Sequence, residues 1–229
     1  MHRTTIDHKR KVFGTSNLGA PLEVFGIFDP PVKLLLLAGQ HGTEPEGTLL
    51  LSSTLRSIDV NEIDCAVVPC LNPDGMARGT RGNAEGVDLN RNFPAKNWSS
   101  SPAAYHWNDE TNNRIYINPG GTSASEPETK ALIDLVITLK PACIITLHAP
   151  LACIDDPKLS PFAYYLSRES GLPVRADIGY PTPGSLGSWA KEKGQHLITF
   201  ELPNDTIQNI RKNFSPLFDK LMRGKINPG

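Results

Sequence analysis

Four short apolar runs punctuate the chain, at 32–39 (VKLLLLAG), 65–73 (CAVVPCLNP), 142–148 (ACIITLH) and 196–203 (HLITFELP). Their length and their content of Val, Ile and Leu suit strands buried on both faces. Between them, residues 46–58, 125–140, 161–170 and 209–223 carry apolar side chains at helical spacing. Ser125, followed three residues on by Glu128, reads as a capping box opening the second of these helices. Strands alternating with helices predict an α/β fold: one domain over 1–229, with a mixed, mostly parallel central sheet and helices on both faces. The stretch 75–124 breaks the rhythm, being rich in Gly, Asn, Pro and Trp with little periodicity. An irregular segment of that length inside a compact domain is usually functional.

The polar residues that interrupt this pattern share one position. His41 and Glu44, Asn72, His148 and Glu201 each lie at or just beyond the C-terminal end of an apolar run. Open α/β sheets bind ligands at the carboxyl ends of their strands, so these groups are expected to assemble into one site.

Composition narrows what that site serves. A chain of 229 residues with 39% hydrophobic and 21% charged residues can bury a substantial core and has ordinary soluble composition. Lys+Arg 23 against Asp+Glu 24, with no basic patch, argues against a nucleic-acid partner. The basic start, MHRTTIDHKRKVFG, lacks the apolar segment of an export signal. The longest greasy run is far short of the roughly 20 residues that span a bilayer. The expectation is a cytoplasmic chain with no membrane partner. Cys65, Cys70, Cys143 and Cys153 show no Cys-x-x-Cys spacing and read as free thiols in a reducing compartment.

His41-x-x-Glu44 alone is a weak signal, but it follows a buried strand, is flanked by Gly39, Gly42 and Gly47, and is complemented by His148 closing another strand. Catalytic zinc takes three protein ligands of the His and Glu type and keeps a position open, so His41, Glu44 and His148 form a candidate set for one Zn2+ per chain. A zinc hydrolase also needs a proton shuttle, and Glu201 supplies a carboxylate at the end of a further strand. Arg78, Arg81 and Arg91 crowd the glycine-rich segment RGTRGNAEGVDLNRNFP (78–94) with no neighbouring acidic helix to pair them. Arginine suits carboxylate recognition and oxyanion stabilisation, so the set fits hydrolysis of an amide beside a free carboxylate.

His41-x-x-Glu44, GVDLNRNFP, SEPET, His148 and Glu201, in that order, resemble the zinc carboxypeptidases of the carboxypeptidase A type over roughly residues 33–203. More narrowly, GVDLNRNFPAKNW, PLACIDDP and YPTPGSLGSW look like the bacterial murein tripeptide amidases. The resemblance implies a cytoplasmic enzyme that cuts the γ-D-glutamyl–meso-diaminopimelate amide of this small peptide during cell-wall recycling. It implies His41, Glu44 and His148 as zinc ligands, Glu201 as base and acid, and Arg81 as the oxyanion-stabilising group. Asn90 and Arg91 match the pair that grips the terminal carboxylate. Asp88 matches the acid that orients the first zinc histidine, and Tyr180 lies where a mobile capping tyrosine would be. Asp155 and Asp156 are acids available to the distal ammonium of diaminopimelate, and Asp156 is expected to bind it, although Asp before Pro157 also starts turns. A zinc deacylase of the aspartoacylase or succinylglutamate desuccinylase type is the competing enzyme, and an inactive peptide-binding module the competing class. The sequence leaves open whether the chain works alone or as a homodimer.

Overall fold

The four apolar runs become four adjacent parallel strands at the centre of one sheet. The computed structural model describes residues 8–106 and 114–226. In chain order the first half holds β1 (Arg10–Thr15), β2 (Pro21–Gly26), β3 (Leu34–Leu37), α1 (Pro45–Leu55), β4 (Ala66–Val68), α2 (Pro73–Arg78) and a 3-10 turn (Leu89–Arg91). A two-stranded ribbon follows, β5 (Ala103–His106) with β6 (Arg114–Ile117). The second half holds α3 (Pro127–Leu139), β7 (Cys143–His148), β8 (Leu151–Asp155), α4 (Pro161–Ser170), β9 (Val174–Arg175), α5 (Leu186–Glu192), β10 (Leu197–Pro203) and α6 (Ile207–Met222). The main sheet has the order β1-β2-β4-β3-β7-β10-β8-β9. β4, β3, β7 and β10 run parallel, β1 and β2 pair antiparallel with their neighbours, and β8 pairs antiparallel with β10 but parallel with β9.

Alternation along the central strands sends successive side chains to opposite faces. Leu34, Leu36, Ile145, Leu147, Ile198 and Phe200 pack with α1, α4 and α6. Leu35, Leu37, Ala66, Val68 and Ile144 pack with α3 and α5 on the other side. The sheet is therefore covered on both faces, which is why its central strands read as continuous apolar runs. The two faces are not equivalent. Toward the C-terminal ends of β7 and β10, the α3/α5 side changes from Ile144 and Leu197 to Thr146, His148, Thr199 and Glu201. The functional site occupies this polar end of one face.

Helix α4 shows the local signals at both ends. Ser160 Oγ accepts from the Ala163 amide, Pro161 opens the first turn, and Gly171 closes the helix at φ 75°. The capping box expected at α3 does not form. Glu126 is the N-cap and makes no side-chain cap bond. Ser125 Oγ instead donates to Glu126 Oε1 at 2.6 Å, and Glu128 accepts from Asn17 N at 3.1 Å and from Asn83 Nδ2 at 3.2 Å. Tertiary partners outcompete the local motif.

The outer elements β1, β2, β8, β9, α2 and α5 lie outside the segments read from the pattern. β1 is mostly exposed and β9 has two residues, so neither leaves an apolar run. The irregular 75–124 stretch is held by polar contacts rather than a hydrophobic face. Asn92 Nδ2 donates to Pro119 O, Thr122 O and Ser125 Oγ, and its Oδ1 accepts from Glu126 N. Asn83 Nδ2 donates to Glu126 Oε2 at 2.7 Å while its Oδ1 accepts from Glu85 N and Val87 N.

Phe218 is fully buried and meets Phe200 edge-on, with ring centroids 5.3 Å apart. Phe218→Ala is expected to cost about 3–5 kcal/mol through lost burial and the cavity left behind. Chemical denaturation measures this; a loss below about 1 kcal/mol would contradict the packing described.

Candidate active site

β3 delivers the first two site residues through a tight backbone. Gly39 turns the chain at φ 66°, and Asn72 N donates to Gly39 O at 2.8 Å, so the segments following β3 and β4 run side by side. Gly42 allows this approach: a Cβ there would lie 2.1 Å from the backbone carbon of Gly75. Glu44 then stands at the head of α1, immediately before Pro45, and no cap bond engages its carboxylate.

That carboxylate is the centre of the site. Glu44 Oε1 lies 2.8 Å from His41 Nδ1, and Oε2 lies 2.9 Å from His148 Nδ1. The two Nδ1 atoms are 3.2 Å apart. All three side chains are buried. His41 Nε2 donates to Asp88 Oδ1 at 3.0 Å, which makes Nδ1 the lone-pair nitrogen of the neutral ring. A lone pair facing a carboxylate and a second imidazole nitrogen is repulsive unless a cation lies between them. The separations are close to, and up to half an ångström shorter than, the roughly 3.3 Å edges of a tetrahedral zinc shell with bonds of about 2.0–2.1 Å. The residues fit a divalent metal, with His41, Glu44 and His148 as its ligands.

Asp88 organises the arginine loop around this centre. It is completely buried; Oδ1 also accepts from Asn90 N at 2.7 Å, and Oδ2 accepts from Arg81 Nε at 2.9 Å. Burial alone would raise its pKa, but His41 and Arg81 hold it well below the usual carboxylate range. Arg81 NH1 reaches Glu44 Oε1 at 3.0 Å. Arg81 has no neighbouring acidic helix, yet it is paired twice: Asp88 lies seven residues on in the same segment, and Glu44 comes from the head of α1. Arg78 is exposed and donates to Ala84 O at 3.4 Å, away from the site. Arg91 is buried, lines the cavity and donates to Asn90 O at 2.8 Å.

Glu201 enters from β10, directly in register with His148 on β7. It is 7% exposed. Burial raises its pKa, nearby His148 opposes the rise, and Glu44 adds to it. A cavity of about 1240 Å³ brings Glu201 together with His41, Glu44, His148, Arg81 and Asn90. Asn90 Oδ1 accepts from Leu186 N at 2.9 Å, leaving Nδ2 as its donor toward a ligand. Tyr180 lines the same cavity and is 43% exposed. The segment that carries it is anchored just downstream. Gly184 N donates to Asn97 Oδ1, Phe93 N donates to Gly184 O, and a Cβ on Gly184 would lie 2.5 Å from Arg91 O.

One sequence expectation is corrected here. Asn72 does not enter the cavity; its Oδ1 caps α2 by accepting from Gly75 N, and its Nδ2 donates to Gln40 O and Arg81 O. Asp156, expected to face a substrate ammonium, lines the cavity with Asp155 and commits both carboxylate oxygens to backbone amides: Oδ1 accepts from Lys158 N at 3.0 Å and Oδ2 from Ser160 N at 2.9 Å. Its side chain is fully shielded and lies 3.6 Å from His196 Nε2. Thr146 and Thr199 line the cavity and were missed. Their signal was a polar residue two positions before His148 and Glu201 on strands that are otherwise apolar. The four cysteines are free, and burial pushes the Cys70 and Cys153 thiols up to about 11, leaving them inert.

Metal analysis should find about one zinc equivalent per chain. His148→Ala should lose that zinc while keeping the far-UV circular dichroism of the parent. Stoichiometric zinc in that variant would remove His148 from the ligand set.

Comparison with known proteins agrees with this geometry. The zinc carboxypeptidase family model matches residues 8–154. Murein peptide amidase A of Escherichia coli (strain K12) is 43% identical over 195 residues, covering 83% of this chain and 80% of that protein. Murein peptide amidase A of Vibrio campbellii is 40% identical over 193 residues, covering 83% and 78%. The crystal structure of a murein-tripeptide amidase from Escherichia coli O157 superposes with a TM-score of 0.89 at 38% identity, covering 96% of this chain and 93% of that one. With its metal-ligand set at the strand ends of the matching fold, this chain belongs to the zinc carboxypeptidase family.

Proposed function

We propose that the chain is an amidase that hydrolyses the γ-D-glutamyl–meso-diaminopimelate bond of murein tripeptide in peptidoglycan recycling. The observation that carries the reading is the convergence of His41, Glu44, His148 and Glu201 in one cavity with Asn90 and Arg91. The extent of similarity to the two murein peptide amidases supports the substrate class. The cavity, at about 1240 Å³, exceeds the roughly 300–1,000 Å³ typical of small-molecule pockets and suits a short peptide. In this reading the whole chain, 1–229, is one catalytic domain.

Zinc held by His41, Glu44 and His148 supplies Lewis-acid polarisation of the scissile carbonyl and acidifies water. Asp88 keeps His41 in the tautomer that presents Nδ1 to the metal, as its hydrogen bond to Nε2 requires. Glu201 takes a proton from the attacking water and returns it to the leaving amine. Burial raises its pKa toward the range in which one carboxylate can both accept and return a proton. Arg81 stabilises the oxyanion that develops on the carbonyl. Asn90 Nδ2 and the Arg91 guanidinium hold the carboxylate beside the scissile amide, and Tyr180 covers the bound peptide. No helix among the described residues is long and apolar enough to cross a membrane. Together with four free thiols, this supports the proposed cytoplasmic setting.

Incubation with L-Ala-γ-D-Glu-meso-diaminopimelate should release diaminopimelate, and a chelator should abolish the release. Absence of release by the zinc-loaded protein would reject the reading.

Glu201→Gln should lower kcat by about 10²–10⁴-fold, the range for a lost proton transfer, while zinc content stays at the parent level. Turnover within about threefold of the parent would remove Glu201 from the chemistry.

A further inference from the structure

The register of β8 against β10 places one more acid on the cavity floor. Cys153 is paired with Glu201 and Asp155 with Thr199, so Asp155 shares the face that carries Thr199 and Glu201. Asp155 lines the cavity. Two residues along an antiparallel strand advance about 6.8 Å, so Asp155 lies that far inward from the level of the proton shuttle. This offset is close to the reach of an extended four-bond carbon chain that ends in an amine, the shape of a diaminopimelate side chain.

The surrounding groups leave the Asp155 carboxylate for a ligand. Asp156 is tied to the Lys158 and Ser160 amides, and Asp177 Oδ1 accepts from Gly179 N. Among the described residues no ion pair joins Asp155 to Arg175, its register neighbour on β9. Burial, with Asp156 and Asp177 nearby, pushes the Asp155 carboxyl up to about 6, as for an acid that lacks a counter-cation. Lys158 and Lys191 line the same cavity, so a terminus carrying both charges would meet both signs.

We infer that Asp155 receives the distal ammonium of the leaving residue and is the group that selects a diamino over a monoamino side chain. This rests on the tripeptide-amidase reading above and adds the specificity residue to it. An ammonium against a partly buried carboxylate is discriminating because the analogue without the amine leaves that carboxylate unpaired.

The test compares kcat/KM for two tripeptides, L-Ala-γ-D-Glu-meso-diaminopimelate and its 2-aminopimelate analogue, in which hydrogen replaces the distal amine. The parent enzyme should prefer the first by at least about 100-fold. Asp155→Asn and Asp155→Ser should lose about that factor on the diaminopimelate peptide and stay within about threefold on the analogue, with zinc content and thermal midpoint unchanged. Preference retained in both variants, with the parent active on the tripeptide, would overturn the role of Asp155 and leave the amidase reading intact. A parent enzyme inactive on the tripeptide would overturn that reading and the inference together.

Discussion

A buried carboxylate with two imidazole nitrogens aimed at it sets the conditions for the rest of this molecule. Glu44, His41 and His148 bring a carboxylate and two imidazole nitrogens within 2.8–3.2 Å of one another. Positive charge at its centre stabilises such an arrangement. Three carboxylates, Glu44, Asp88 and Glu201, are nearly or completely buried here, and Arg81 pairs with two of them. A divalent cation held by His41, Glu44 and His148 would offset the remaining negative charge. The charge inside the protein therefore favours a divalent metal, as do the ligand types.

The sheet makes that concentration of charge tolerable by confining it. On one face the central strands are apolar along their length, and Phe200, one residue from Glu201, packs edge-on against Phe214 and Phe218. On the other face the apolar layer stops where Thr146 and Thr199 begin the cavity floor. The same alternation that builds two cores thus divides each strand between stability and chemistry. Asp155 continues the pattern on β8, where the strand direction reverses but the face is kept.

The loop that carries Asp88, Asn90 and Arg91 solves a different problem. It has no hydrophobic face of its own, so side-chain amides replace the missing backbone ladder. Asn83 and Asn92 tie it to the start of α3. Gly184 ties it to the segment that precedes α5. The acids of SEPET are accordingly scaffold for the arginine loop: Glu126 and Glu128 accept from Asn17 and Asn83. A local capping reading of Ser125 and Glu128 could not see these partners, which lie up to 111 residues away in the chain.

What the sequence determined by itself was whatever depends on short-range order. The four central strands and four long helices were legible because burial on both faces forces continuous apolar runs, and amphipathic packing forces a helical period. His41, Glu44, His148 and Glu201 were legible because each abruptly ends such a run. What only the tertiary structure decided was which polar groups meet. Arg81 finds Glu44 across 37 residues. Asn72 turns away to cap a helix, and of the two adjacent acids that line the cavity Asp156 is tied to a turn while Asp155 shares a face with Thr199. The physical reason is that charge pairing and hydrogen bonding between distant segments leave no periodic trace in the chain, whereas the exclusion of water from a strand does.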